Sequence, residues 1–110
     1  MNASSTAFNA LGDPTRRAIF EKLRDRPLAV VDIANGLPVS RPAVSQHLKV
    51  LKEAKLISLR TVGNNNFYEL NREGILAMRD YLAQFWDDAL ANFKILAEDT
   101  EAKNNKTLDK

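Results

Sequence analysis

The 110 residues predict a mainly α fold carrying one β-hairpin, in the order α-α-α-α-β-β-α. Three observations carry that expectation. Apolar residues recur at three- and four-residue spacing through most of the chain. One stretch, from Leu56 to Leu70, switches to aliphatic and aromatic strand formers on either side of a Gly-Asn turn. The last third then returns to helical spacing for about 26 residues, roughly 39 Å of helix.

The elements follow in order. Phe8 and Leu11 mark a short first helix that ends at Gly12. Asp13-Pro14 starts the second, with an acceptor side chain at the N-cap and proline at the first helical position; Ile19, Phe20 and Leu23 carry it to about Arg24. After the break at Asp25-Arg26-Pro27, a third short piece has Val30, Ile33, Ala34 and Leu37 on one face, closed by Gly36-Leu37-Pro38. Ser40 caps a fourth helix through Pro42 to about Ala54. Leu56–Val62 reads as a strand, Gly63-Asn64-Asn65-Asn66 as its turn and Phe67–Leu70 as the return strand. Asn71 caps a last helix from Glu73 to Glu98, with a polar, frayed tail over 99–110. Two short helices joined by a tight turn and followed by a hairpin make a winged helix-turn-helix, read as one domain with residues 5–98 as its ordered core.

Composition narrows the function. With 45 % hydrophobic and 27 % charged residues the chain is globular rather than disordered, and its length leaves no room for a separate catalytic domain. No apolar run of about 18 residues is present to span a membrane, and the N-terminus lacks the pattern of a secretory signal, so a cytoplasmic location is expected. The absence of cysteine excludes disulfides, a thiolate nucleophile and thiolate metal sites. Charge is unevenly spread: residues 1–62 hold ten Lys and Arg against five Asp and Glu, and residues 63–110 hold six against nine. A basic front half is what a polyanion-binding part would have, although a solvated surface accounts for it equally.

The fourth helix carries the chemistry. On a wheel of about 100° per residue, Val44, Leu48 and Leu51 share the inward side, while Pro42, Ser45, Gln46 and Lys49 face the other way. Glutamine pairs bidentately with adenine and serine meets any base edge, so Pro42, Ser45 and Gln46 are the candidates for base readout. Ser40, Arg41 and Lys49 suit phosphate contact or support, which fixes register without reading sequence. His47, the only histidine, lies about 60° from the apolar centre; it is expected half-buried and bonded to a neighbouring helix or to a phosphate. Arg60, Asn64 and Asn65 on the hairpin can reach the minor groove or flanking phosphates, or simply form an ordinary turn. In the last helix Tyr81, Leu82, Phe85, Trp86, Leu90 and Phe93 form a stripe wider than a small domain covers. These are the candidate homodimer interface; a helix wrapped wholly across its own domain is the other reading.

The runs Ala10-Leu11-Gly12-Asp13-Pro14-Thr15-Arg16-Arg17 and Val39-Ser40-Arg41-Pro42-Ala43-Val44-Ser45-Gln46-His47-Leu48-Lys49-Val50-Leu51 resemble the ArsR/SmtB family of winged-helix regulators, from about Phe8 to Leu96. The long last helix with Phe85-Trp86 is similar to the metal-independent, autorepressor-like branch. The resemblance implies a dimer formed by the first and last helices, which adds Phe8 and Leu11 to the candidate interface, and an operator read by the helix that begins near Ser40. Two departures stand out. Ala54-Lys55-Leu56 replaces a family pattern with glycine in the middle, which puts Lys55 in a left-handed conformation at a cost of about 1 kcal/mol, or else shifts the helix end. Asn64-Asn65-Asn66 stands where relatives carry arginines. The metal ligands of the founding members, cysteines near Val31 to Leu37 or His/Asp/Glu sets on the last helix, are not matched, so no metal, no cofactor and no metal response are expected.

Two functions compete on this reading. The first is a sequence-specific DNA-binding repressor, a dimer on an inverted-repeat operator in double-stranded DNA, its own promoter included. The second is a protein-interaction module that keeps the fold and docks a partner through the last helix. No nucleophile–base pair or carboxylate constellation suggests an enzyme. The sequence names no effector.

Overall fold

Cap chemistry sets the helix starts of this molecule. The computed structural model describes residues 3–108, with side chains for 5–100; residues 109–110 of the polar tail lie outside them. The elements are α1 (Ala3–Leu11), α2 (Pro14–Lys22), α3 (Val30–Ala34), α4 (Arg41–Glu53), β1 (Ile57–Val62), β2 (Asn65–Leu70) and α5 (Arg72–Leu108). Asp13 accepts a hydrogen bond from the Arg16 backbone N–H at 2.9 Å, Ser40 Oγ accepts from Ala43 N at 3.3 Å, and Asn71 Oδ1 accepts from Glu73 N at 3.1 Å. Each cap satisfies a donor that the first turn of a helix leaves without a partner.

The chain divides after Met78 into two units. In the first, Ile19, Leu23, Ile33, Val44, Leu48, Leu51, Leu56 and Ile57 are almost wholly withdrawn from solvent, with Ala7, Ala10 and Ala54 filling the gaps. Side chains also tie the helices together: Arg16 Nε donates to the Ala10 carbonyl at 2.7 Å, joining α2 to α1. Lys22 Nζ donates to the carbonyls of Ile33 and Asn35, at 3.0 and 2.5 Å, and so caps the end of α3 from α2. The five-residue α3 stops where Gly36 turns to a φ of +83°, a conformation that glycine takes without steric cost.

The hairpin differs from expectation at its tip. Val62 pairs with Asn65, so the loop is Gly63-Asn64 alone, with a positive φ of +62° at Gly63. A positive φ at the first loop residue only is the type II′ pattern, whose twist matches that of antiparallel strands. Asn65 and Asn66 therefore belong to β2 rather than to a four-residue turn. A further partner, invisible in the sequence, sits at the hairpin's base. Leu28 N donates to Tyr68 O at 2.9 Å and Tyr68 N to Leu28 O at 2.8 Å, so one residue of the α2–α3 connection forms an isolated bridge to β2.

The end of α4 settles the Lys55 question. Lys55 has a φ of +62°; its N–H donates to Lys52 O at 3.0 Å and the Leu56 N–H to Leu51 O at 3.1 Å. That pair of bonds is the Schellman motif, with Leu51 and Leu56 supplying its apolar contact, both fully buried. Leu56 thus ends α4, and β1 begins at Ile57. The turn has a counterpart in α5: a Cβ on Gly74 would lie 1.8 Å from the Lys55 carbonyl oxygen, so only glycine admits that approach.

In the second unit the helix continues to Leu108, ten residues beyond the predicted end at Glu98. Glu101-Ala102-Lys103 are good helix formers and no glycine or proline interrupts them; polarity alone does not stop a helix.

Lys55→Gly is expected to raise stability by up to about 1 kcal/mol by relieving the left-handed Cβ, whereas Gly74→Ala should cost about 1–3 kcal/mol as the Lys55 carbonyl is pushed away. Urea midpoints of the two variants against the parent check both signs.

Candidate nucleic-acid interface

Burial of one side of α4 defines the other. Val44, Leu48 and Leu51 sit at 0–1 % exposure, and Arg41, Pro42, Ser45, Gln46 and Lys49 are all exposed. The wheel placed these residues correctly, because a 13-residue helix with three core anchors has only one way to face. The structure thus gathers Pro42, Ser45 and Gln46 into one polar patch with Arg41 and Lys49 beside it. Ser40 stands apart in role: its hydroxyl accepts from Ala43 N, so it holds the start of α4.

His47 is half-buried on the flank of α4, near the Asp13 cap of α2. The Asp13 carboxyl is held below its ordinary range, chiefly by the hydrogen bond from the Arg16 backbone N–H and further by the charges of Arg16 and His47. The histidine therefore belongs to the joint between α2 and α4 rather than to the outward patch.

On the hairpin, Arg60 lies 3.7 Å from Glu69 across the strands, a partly exposed pair that holds the wing's one cation close to its own sheet. Asn64 and Asn65 are exposed at and beside the turn, and Asn66 Oδ1 accepts from Thr61 Oγ1 at 2.8 Å. The wing tip is thus polar and uncharged. On α1, Phe8 and Leu11 are half-buried, Leu11 packing against the first unit's own core. On α5, Tyr81, Leu82, Phe85, Trp86, Leu90 and Phe93 are exposed, as are Ile95 and Leu96, which extend the stripe beyond the predicted set. Among the described residues, no group of three or more His, Asp or Glu side chains is placed to hold a metal ion, and no helix is long and apolar enough to cross a membrane.

A helix pair whose second member shows a polar, cation-flanked face, followed by a hairpin that a bridge from Leu28 braces, defines a winged helix-turn-helix DNA-binding protein. A helix-turn-helix domain profile matches residues 11–60. The chain is 51 % identical over 92 residues to the HTH-type transcriptional regulator Rv2034 of Mycobacterium tuberculosis, covering 84 % of this chain and 86 % of that one. It is 39 % identical over 67 residues to the transcriptional repressor SdpR of Bacillus subtilis, covering 61 % and 74 %. An ArsR-like transcriptional regulator from Rhodococcus sp. RHA1 superposes with a TM-score of 0.72 at 30 % identity, over 86 % of this chain and 92 % of its own. The chain belongs to the ArsR/SmtB-type family of winged helix-turn-helix transcriptional regulators, which act by binding DNA and are not enzymes.

The sequence did not reveal that Arg60 is partnered. Glu69→Gln should release Arg60 toward phosphates and steepen the salt dependence of DNA binding by up to about 0.9 in log–log slope per protomer; fluorescence anisotropy across a salt series measures it, and an unchanged slope would show that the wing's cation does not reach DNA.

Proposed function

We propose that this chain is a cytoplasmic, homodimeric transcriptional repressor that binds an inverted-repeat operator, with its own promoter as the first candidate. The exposed Ser45–Gln46 face of α4, held outward by its buried opposite side, carries the reading. Gln46 supplies a bidentate group for adenine and Ser45 a short donor–acceptor for a neighbouring base edge, while Arg41 and Lys49 clamp phosphates on either side. Pro42 adds apolar contact, and Ser40 and His47 support the helix from behind. Asn64 and Asn65 meet the backbone or the minor groove without adding charge. Similarity to proteins named as repressors, SdpR and the arsenical resistance operon repressor of Staphylococcus xylosus, supports repression over activation.

The dimer rests on the α5 stripe. Tyr81, Trp86, Phe85 and Phe93 are 45 %, 54 %, 56 % and 60 % exposed, an apolar surface that a two-fold mate would cover. Phe8 and Leu11 join that interface from α1. In such a dimer the two α4 helices enter successive major grooves about 34–36 Å apart.

Gln46→Ala should cost about 1–3 kcal/mol on the specific site and relax preference at one base pair per half-site. Lys49→Ala should weaken specific and random DNA alike, lowering the salt slope by about 0.9 per lost phosphate contact. Gel shifts on the promoter fragment and on scrambled DNA separate the two; parental behaviour from both variants would mean that α4 is not the reader.

Phe85→Glu combined with Phe93→Glu should convert a dimer to a monomer in sedimentation velocity and abolish tight operator binding. A parent that sediments as a monomer at tens of micromolar would sink the dimer.

A further inference from the structure

Between α1, α2 and the last turn of α4 lies a cavity of about 220 Å³. Ala10, Val50 and Ala54 give it an apolar wall, and Asn9, Arg16 and Glu53 bring polar groups to it. Arg16 lines the cavity and is held in place there, since its Nε donates to the Ala10 carbonyl at 2.7 Å. Glu53 has no ion-pair partner among the described residues, Arg16 included. An unmatched carboxylate and an anchored guanidinium therefore share one small concavity with an aliphatic lining. Pockets built this way bind by enclosing a carbon body while a few convergent polar groups fix its orientation, and charge-assisted hydrogen bonds are the strong ones.

We propose that this cavity binds a small zwitterion of the amino-acid class and that its occupation changes operator affinity. The carboxylate sits on the Arg16 guanidinium, the ammonium on the Glu53 carboxylate, and the carbon body on Val50, Ala10 and Ala54. A molecule with one charged end engages only one of the two charged groups that line the site. The face of α1 involved is not the one assigned to the dimer: Asn9 lies about 100° from Phe8 and about 160° from Leu11 around the helix. The ligand would bridge α2 to the C-terminal turn of α4, whose N-terminal half carries Ser45 and Gln46, so fixing one end of that rod moves or holds the other. Linkage requires that operator and ligand then alter each other's affinity by the same factor. This second half rests on the DNA-reading role proposed for α4; the first half does not.

The test uses the full chain. Amide resonances of Asn9, Val50, Glu53 and Ala54 are followed by NMR during titration with L-leucine, 4-aminobutyrate and 6-aminohexanoate, and separately with hexanoate and hexylamine, which carry one charge each. Saturable shifts at those amides are expected with at least one zwitterion, and binding about tenfold weaker with either singly charged compound. Glu53→Gln should weaken the zwitterion about tenfold while leaving hexanoate binding and the unliganded thermal midpoint unchanged. No saturable shift with any of the three zwitterions overturns the site, as does equal binding of all five compounds. Shifts that follow protein concentration alone overturn it too, because a second copy then fills the cavity. Gel shifts with and without the bound zwitterion should differ about fivefold or more in operator affinity; unchanged affinity with a proven ligand overturns the regulatory half. Failure of the parent to bind its promoter at all counts against the α4 reading and leaves the NMR result standing.

Discussion

Val44, Leu48 and Leu51 lose essentially all contact with water, and the outward face of α4 depends on that burial. A helix is stiff over 13 residues, so anchoring three positions of one side in a close-packed interior leaves no rotational freedom for the other. Ser45 and Gln46 project outward because their neighbours cannot. The Ser40 cap at one end and the left-handed Lys55 turn at the other fix where the helix begins and stops, and hence which turn of it is available to a groove.

Legibility in the sequence followed the range of the forces involved. The caps at Asp13, Ser40 and Asn71 were readable because their chemistry acts within three residues. The two faces of α4 were readable because the apolar spacing is strict, whereas the strain at Lys55 was readable only against the glycine of the family pattern that the chain resembles. Features set by distant parts of the chain were not. Three consecutive asparagines after Gly63 suit several turns, and only the pairing of Val62 with Asn65 selects the two-residue one. Gly74 looks like a poor helix residue until the Lys55 carbonyl is seen against it. The continuation of α5 past Glu98 is carried by helix propensity, which hydrophobic periodicity does not register. At the candidate site, the outward patch was legible residue by residue. The Arg60–Glu69 pair and the placing of Arg16 and Glu53 on the wall of one cavity were not, since nothing in linear spacing encodes them.

Electrostatics in the first unit are divided between structure and recognition. Arg16 and Lys22 are committed to backbone carbonyls, and Arg60 to a glutamate, so several of the basic residues that distinguish the front half are structural cations. Arg41 and Lys49 remain exposed beside the reading face. Hydrogen bonds to neutral carbonyls fix where Arg16 and Lys22 sit but leave their charge in place, so they still contribute to the positive field of the first unit.

The single pairing of Leu28 with Tyr68 also governs mechanics. A lone two-stranded hairpin is marginally stable in water, but this one is clamped near its base to the segment that feeds α3. Bending the wing at the root would break two backbone hydrogen bonds, whereas flexing near Gly63 breaks none of them. The wing is thus a cantilever with a stiff root and a compliant end. A load applied at the tip would be absorbed there, leaving the angle of α4 undisturbed.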